Sequence, residues 1–168
     1  MDSTIDLSRA AAVGLAKRLA DRQRKIVLAE SCTAGLAAAL LGECPGISAW
    51  FCGSAVTYRE ATKIQWLDVP TAVLKQFSAE SLGTTQKMAQ AVLEKTPEAD
   101  FSAAITGHLG PQAPVEFDGK IFMAIVFRDQ ADVKLQEHQL EQTDRSSRQH
   151  EAAACLLRFA GQVLSQTS

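Results

Sequence analysis

The stretch Ile26-Val27-Leu28-Ala29-Glu30-Ser31-Cys32-Thr33-Ala34-Gly35-Leu36-Ala37-Ala38-Ala39-Leu40-Leu41-Gly42 decides the fold. Its first four residues are a short apolar run suited to a buried strand. Glu30 to Thr33 is a tight polar turn, and the alanine-rich segment 34–41, ended by Gly42, has the composition of a helix with a glycine stop. Upstream, residues 6–21 set Ala12, Leu15, Ala16 and Leu19 at helical spacing, and Arg22, Arg24 and Lys25 follow where cations favour the helix dipole. Downstream of the Pro45-Gly46 turn, residues 49–57 read as a second strand, 59–67 and 71–77 as short helices divided by Pro70, and 81–94 as a longer helix capped by Ser81. Phe101 to Ile105 forms a third strand that runs into Thr106-Gly107. The loop 107–119 is broken by glycines and prolines. Segments 120–127 and 133–140 pair as an antiparallel hairpin, the run 121–127 being apolar enough for burial on both faces. A final helix over 145–165 places Ala152, Leu156, Phe159, Ala160 and Val163 on one stripe.

Strands joined by helical crossovers are parallel, right-handed crossovers put helices on both faces, and the hairpin makes the sheet mixed. The expected fold class is therefore α/β, a three-layer α/β/α sandwich with a mixed, mostly parallel sheet. A length of 168 residues with 46% hydrophobic content fills one core, so residues 1–168 are expected to form a single domain. Seventeen basic and nineteen acidic side chains give a net charge of -2, and no positive field exists to hold nucleic acid. The run 121–127 is too short to cross a bilayer, and residues 1–6 show no basic segment followed by an apolar one, so a cytoplasmic protein is expected, with no membrane partner. Cys32, Cys44, Cys52 and Cys155 form no CxxC pair and suit reduced thiols. His108, His138 and His150 are scattered, and no protein-bound metal is expected.

In such a sheet, chemistry belongs at the strand carboxyl ends. Three ends carry polar sets: Glu30-Ser31-Cys32-Thr33, Tyr58 with Lys63, and Thr106-Gly107. Ser31, where a strand meets a helix N-terminus, is the candidate nucleophile, because backbone amides there stabilise an oxyanion. It needs a base. No histidine lies in these sets, His108 falling on the irregular loop, so Lys63 is preferred: burial lowers a lysine's pKa, and a tyrosine hydroxyl such as that of Tyr58 can relay a proton. Each residue also has a plainer role. A serine at this junction serves as an N-cap, a lysine on a short helix as a solvated charge, and Thr106-Gly107 as a turn. Cys32 reads as an inert packed thiol. Arg145 and Arg148, opening the last helix, are either solvated or an anion clamp.

These residues resemble a known family. Glu30-Ser31-Cys32-Thr33-Ala34-Gly35-Leu36, Pro45-Gly46, Val56-Thr57-Tyr58 with Lys63, Ile105-Thr106-Gly107, Gly110-Pro111, and Asp144-Arg145 with Arg148 are similar, in order and spacing, to the CinA C-terminal domain family, over roughly residues 8–165. The characterised members are nicotinamide mononucleotide amidohydrolases. The resemblance implies a five-stranded mixed sheet, a homodimer, and hydrolysis of a pyridine mononucleotide to nicotinate mononucleotide and ammonia without a cofactor. It implies Ser31 as nucleophile, Lys63 as base and Tyr58 as relay, with Glu30, Cys32, Thr33, Ala34, Gly35, Thr106, Gly107 and Arg145 around the substrate. Two departures stand out. Ala34 replaces a usual glycine, where its methyl is expected to crowd the substrate, and His108-Leu109-Gly110-Pro111-Gln112-Ala113-Pro114 replaces a glycine-rich loop. They motivate two alternatives: a diverged nucleotide-binding or regulatory module, and an amidase of changed substrate.

Overall fold

The computed structural model describes residues 3–167. In chain order the elements are α1 (Ser3–Arg22), β1 (Ile26–Glu30), α2 (Leu36–Gly42), β2 (Phe51–Val56), α3 (Glu60–Leu67), α4 (Thr71–Phe77), α5 (Leu82–Glu94), β3 (Phe101–Gly107), β4 (Lys120–Phe127), β5 (Val133–Gln139) and α6 (Arg145–Gln166). The expected elements are all present, with ends that move by a few residues. The difference that matters for the site is at β3, which continues through Thr106 to Gly107 because the ladder to β4 extends to the pair Gly107 and Ile121. Single 3-10 turns occupy Ile47–Ala49 and Val115–Phe117.

The five strands lie in the order β2-β1-β3-β4-β5. β1 pairs in parallel with β2 and with β3, while β3–β4 and β4–β5 are antiparallel. The pleat sorts the side chains. Ile26, Leu28, Phe101, Ala103, Ile105, Ile121, Met123, Ile125 and Phe127 face one core with α1, α2 and α6. Val27, Ala29, Ala104 and Ala124 face the other, under α3, α4 and α5. Small residues on that second face let α5 approach the sheet, and Ser102 Oγ reaches the Ala89 carbonyl at 2.7 Å. The result is a three-layer α/β/α sandwich around a mixed five-stranded sheet, four of whose strands run in one direction. Among the described residues no helix is long and apolar enough to cross a membrane.

The register decides the rest. Glu30 sits opposite Val56 on one side and Ile105 on the other, so the carboxyl ends of β1, β2 and β3 come out level. Ser31, Tyr58 and Gly107, far apart in the chain, start from one edge.

Candidate active site

The turn after β1 is built around Glu30, which is fully buried. Its Oε2 accepts from Thr33 Oγ1 at 2.7 Å and from the Ala37 N–H at 3.0 Å. Its Oε1 accepts from the Ala38 N–H at 3.0 Å and from Ser54 Oγ at 2.9 Å. The carboxylate therefore satisfies the first amides of α2 from inside the fold, at the positive end of the helix dipole. Ala34 and Gly35 complete the turn in the left-handed region, at φ 50° and 91°. The N–H of Ser31 is held by the Ile105 carbonyl at 3.1 Å, and the Ala34 N–H closes on the Ser31 carbonyl at 3.0 Å.

Lys63 comes from the first turns of α3. Thr62 Oγ1 accepts from the Arg59 N–H and donates to the Arg59 carbonyl, which sets the start of that helix. The Lys63 side chain runs inward and is 1% exposed. Its Nζ lies 3.0 Å from Ser31 Oγ and 2.7 Å from the Thr57 carbonyl. Burial pushes its pKa down, opposed in part by the charges of Glu80 and Glu60. An amine with one N–H on a carbonyl and a lowered pKa keeps its lone pair for the neighbouring hydroxyl.

Ser31 borders a cavity of about 410 Å³, a size suited to a small organic substrate. Cys32, Tyr58, Gly107, Arg145, Glu80 and His108 are on its wall. Lys63 lies behind Ser31, outside that lining. Gly107 is required: a Cβ there would meet Ile121 Cγ2 at 2.6 Å and the Lys120 carbonyl at 2.9 Å. Burial, with the charge of Glu30 second, pushes the Cys32 thiol up to about 12, so Cys32 is a packed wall residue and not a rival nucleophile.

Other residues expected around the substrate are placed elsewhere. Glu30 and Thr33 are consumed in the α2 network described above. Ala34 is exposed and Gly35 opens α2, neither on the cavity wall. Thr106 is buried under α5, where its hydroxyl shares a 2.9 Å hydrogen bond with Thr85 Oγ1, because its position in the pleat points it at that layer. Tyr58 is 51% exposed at the cavity mouth, and its hydroxyl accepts from Arg145 Nη2 at 2.6 Å. No hydrogen bond links that hydroxyl to the lysine–serine pair, so the relay expected of Tyr58 has no contact behind it in this state. Arg145 also donates to the Gly110 carbonyl. Arg148 is neither solvated nor an anion clamp. It is buried and forks onto the Asp118 carboxylate at 2.8 and 2.9 Å, with its Nε on the Gln142 carbonyl at 2.7 Å. This ties loop 107–119 to α6.

Two ionisable wall residues, His108 and Glu80, are not marked by the sequence as site residues. The sequence puts His108 on an irregular loop, yet it directly follows β3, and the extended ladder carries it to the cavity. Glu80 comes from the turn before α5, and nothing local in the chain marks it.

The arrangement defines a class: an α/β sandwich with a buried lysine–serine pair behind a strand-end cavity. The family model described as the CinA C-terminal domain matches residues 8–164, and the chain belongs to that family. A CinA-like protein of Dictyoglomus thermophilum is 34% identical over 118 residues, covering 69% of this chain and 28% of the relative. One from Prochlorococcus marinus is 43% identical over 97 residues, covering 58% and 23%. The match thus spans about a quarter of these relatives' length. Among solved structures, a competence-damaged protein (CinA) superfamily protein from Klebsiella pneumoniae superposes with TM-score 0.88 at 26% identity, covering 95% of this chain and 99% of the other. A competence/damage inducible protein from Agrobacterium tumefaciens gives 0.87 at 28% identity, with 95% and 96% covered.

Proposed function

We propose that this domain is a carboxamide hydrolase that converts nicotinamide mononucleotide to nicotinate mononucleotide and ammonia, with Ser31 as nucleophile and Lys63 as base. The observation that carries the reading is the 3.0 Å separation of Lys63 Nζ from Ser31 Oγ, with the amine buried and its pKa lowered beside an open cavity. In the first step the Ser31 hydroxyl gives its proton to Lys63 Nζ as Oγ bonds the carboxamide carbon. The tetrahedral oxyanion falls to the backbone N–H of Cys32 on the cavity wall, those of Ser31 and Ala34 being already bonded. The carbon–nitrogen bond then breaks, and the proton passes from Lys63 to the departing nitrogen, which leaves as ammonia. Water, deprotonated by Lys63, cleaves the ester. The proton returns to Ser31 Oγ, and the acid is released. Arg145 at the mouth supplies a cation for the phosphate.

Purified protein mixed with nicotinamide mononucleotide is expected to release ammonia. Ser31→Ala and Lys63→Met should each lower kcat by about a thousandfold or more. Undiminished turnover in Ser31→Ala overturns the reading. The rate should decline as pH falls below the lowered Lys63 pKa, since only the neutral amine accepts the proton.

One observation favours a second reading, a nucleotide-binding module without turnover. The Tyr58 hydroxyl is bonded to Arg145 and makes no hydrogen bond to the lysine–serine pair, so the proton relay lacks a contact while the cation stays on the cavity wall. Calorimetric binding with no ammonia at any pH would decide for that module, and a screen of carboxamides separates an amidase of changed substrate from both. The homodimer is a proposal that rests on the family resemblance and is checked by light scattering, and the cytoplasmic setting is a proposal that rests on the sequence.

A further inference from the structure

The solvent side of α1 carries a set of residues that the fold does not use. Leu15 and Leu19 bury one side of this helix in the core it shares with α2 and α6. The opposite side sets Ser3, Asp6, Ala10, Val13, Lys17 and Ala20 three and four residues apart in turn, and all six are exposed. That spacing belongs to any helix face, and it is also the a and d spacing of a coiled-coil seam. The content of the face is what distinguishes it. The middle is apolar, with Val13 61% exposed, and the flanks carry opposite charges at Asp6 and Lys17. Among the described residues neither Asp6 nor Lys17 has an ion-pair partner in its own chain.

Turned against itself, this face is complementary. With two copies of α1 antiparallel about a two-fold axis between Ala10 and Val13, Asp6 meets Lys17 of the second copy, Ala10 meets its Val13 and Ser3 meets its Ala20. Each layer recurs by symmetry, as an interface between like surfaces requires. Parallel pairing would set Asp6 on Asp6 and Lys17 on Lys17, so charge selects the antiparallel sense. Beside the seam, a groove of about 420 Å³ runs between α1 and α6, with Gly14 on its wall. Arg18 edges the groove but is folded back, donating to the Gly14 carbonyl at 3.0 Å and to Ser165 Oγ at 3.1 Å. In the antiparallel register Leu7 of the second copy lies beside Gly14 and enters this groove, which gives an occupant to a leucine 55% exposed in the free chain. The small side chains at Ala10 and Gly14 let the helices approach to about 8 Å.

We infer that the outer face of α1 is a self-association surface, on which a second copy of this chain packs its own α1 antiparallel. The seam is about 30 Å long and holds two Asp6–Lys17 pairs and two Leu7 anchors. So small an interface gives a dimer with a Kd of about 1–100 µM. The inference is independent of the hydrolase reading, because α1 contributes no residue to the strand-end cavity.

Sedimentation equilibrium over about 1–500 µM protein tests it, and wild-type protein should be dimeric at the upper end. Asp6→Lys and Lys17→Glu each turn both ion pairs into like-charge contacts, and each should raise Kd by about tenfold or more. The double reversal restores both pairs and should bring Kd to within about threefold of wild type. Val13→Asp, which places two carboxylates at the centre of the seam, should leave only monomer. The three positions are exposed, so the circular dichroism of every variant should match wild type. A wild-type chain that stays monomeric overturns the inference. A dimer whose Kd the single reversals leave unchanged also overturns it, and so does a double reversal that binds no tighter than the single ones.

Discussion

Replacing Glu30 with glutamine tests whether the catalytic turn is organised by a buried carboxylate. The four donors on Glu30 fall two to each oxygen: Thr33 Oγ1 and the Ala37 N–H on one, Ser54 Oγ and the Ala38 N–H on the other. A glutamine side chain turns one of those oxygens into an NH2 group. Either hydroxyl can rotate and accept from it, but a main-chain N–H cannot reverse. Whichever way the amide settles, one buried N–H of α2 is left facing a donor. An unsatisfied buried donor costs about 1–3 kcal/mol, and the contacts that remain lose their charge assistance, a further contribution of about 1 kcal/mol. Relief from burying a charge offsets part of this. The expected loss for Glu30→Gln is about 2–4 kcal/mol, a large share of the roughly 5–15 kcal/mol that holds a domain of this kind together. Urea unfolding followed by circular dichroism measures it. The midpoint should fall by about 1–2 M with the slope m unchanged. Ser54→Ala, which removes one neutral donor and leaves both amides satisfied, should cost only about 1 kcal/mol. A Glu30→Gln midpoint displaced by the equivalent of less than about 0.5 kcal/mol would refute the reasoning, because it would mean that the helix amides do not depend on the charge.

Other outcomes follow from the same geometry. Lys63→Met should end ammonia release yet stabilise the fold at neutral pH by about 1–2 kcal/mol, since it removes a buried amine that the fold strains to hold. The sign follows from linkage: the folded-state pKa lies below the unfolded value of about 10.4, so the unfolded chain binds more protons between the two, and wild-type stability rises with pH across that window. Denaturation midpoints taken there should show the slope in wild-type protein and lose its Lys63 part in the variant. Ala34→Gly should stabilise by about 1 kcal/mol in the same assay, because Ala34 holds a left-handed φ of 50° that glycine adopts without strain. The Arg148 hydrogen bonds, the largest cause, hold the Asp118 carboxyl below the usual carboxylate range, so their contribution is present above the ordinary aspartate pKa and lost as pH falls through the lowered one. In Arg148→Met that acid-side loss should vanish from the midpoints, and KM should rise more than kcat falls, because loop 107–119 loses its tie to α6.

Much of this molecule was legible along the chain. Periods of two and 3.6 residues in the apolar positions, with glycine and proline at the breaks, mark the strands and helices, since those patterns report only which side of an element meets a core. The short Asp129–Asp132 turn announces the antiparallel hairpin, and the crossovers announce the parallel strands. The segments around Ser31 and Lys63 were visible as well, the first by its place between strand and helix and both through their likeness to a family. Which polar side chains face the substrate and which support the fold was decided only in three dimensions. Glu30, Thr33 and Thr106 are polar residues at strand ends, as a binding site would have, but neighbours from α2, β2 and α5 absorb them. Arg148 looked like Arg145 until Asp118, thirty residues away, met it. His108 and Glu80 looked incidental and share a wall of the cavity. The physical reason is that a buried polar group is defined by its partners, and those partners come from distant parts of the chain that local sequence does not bring together.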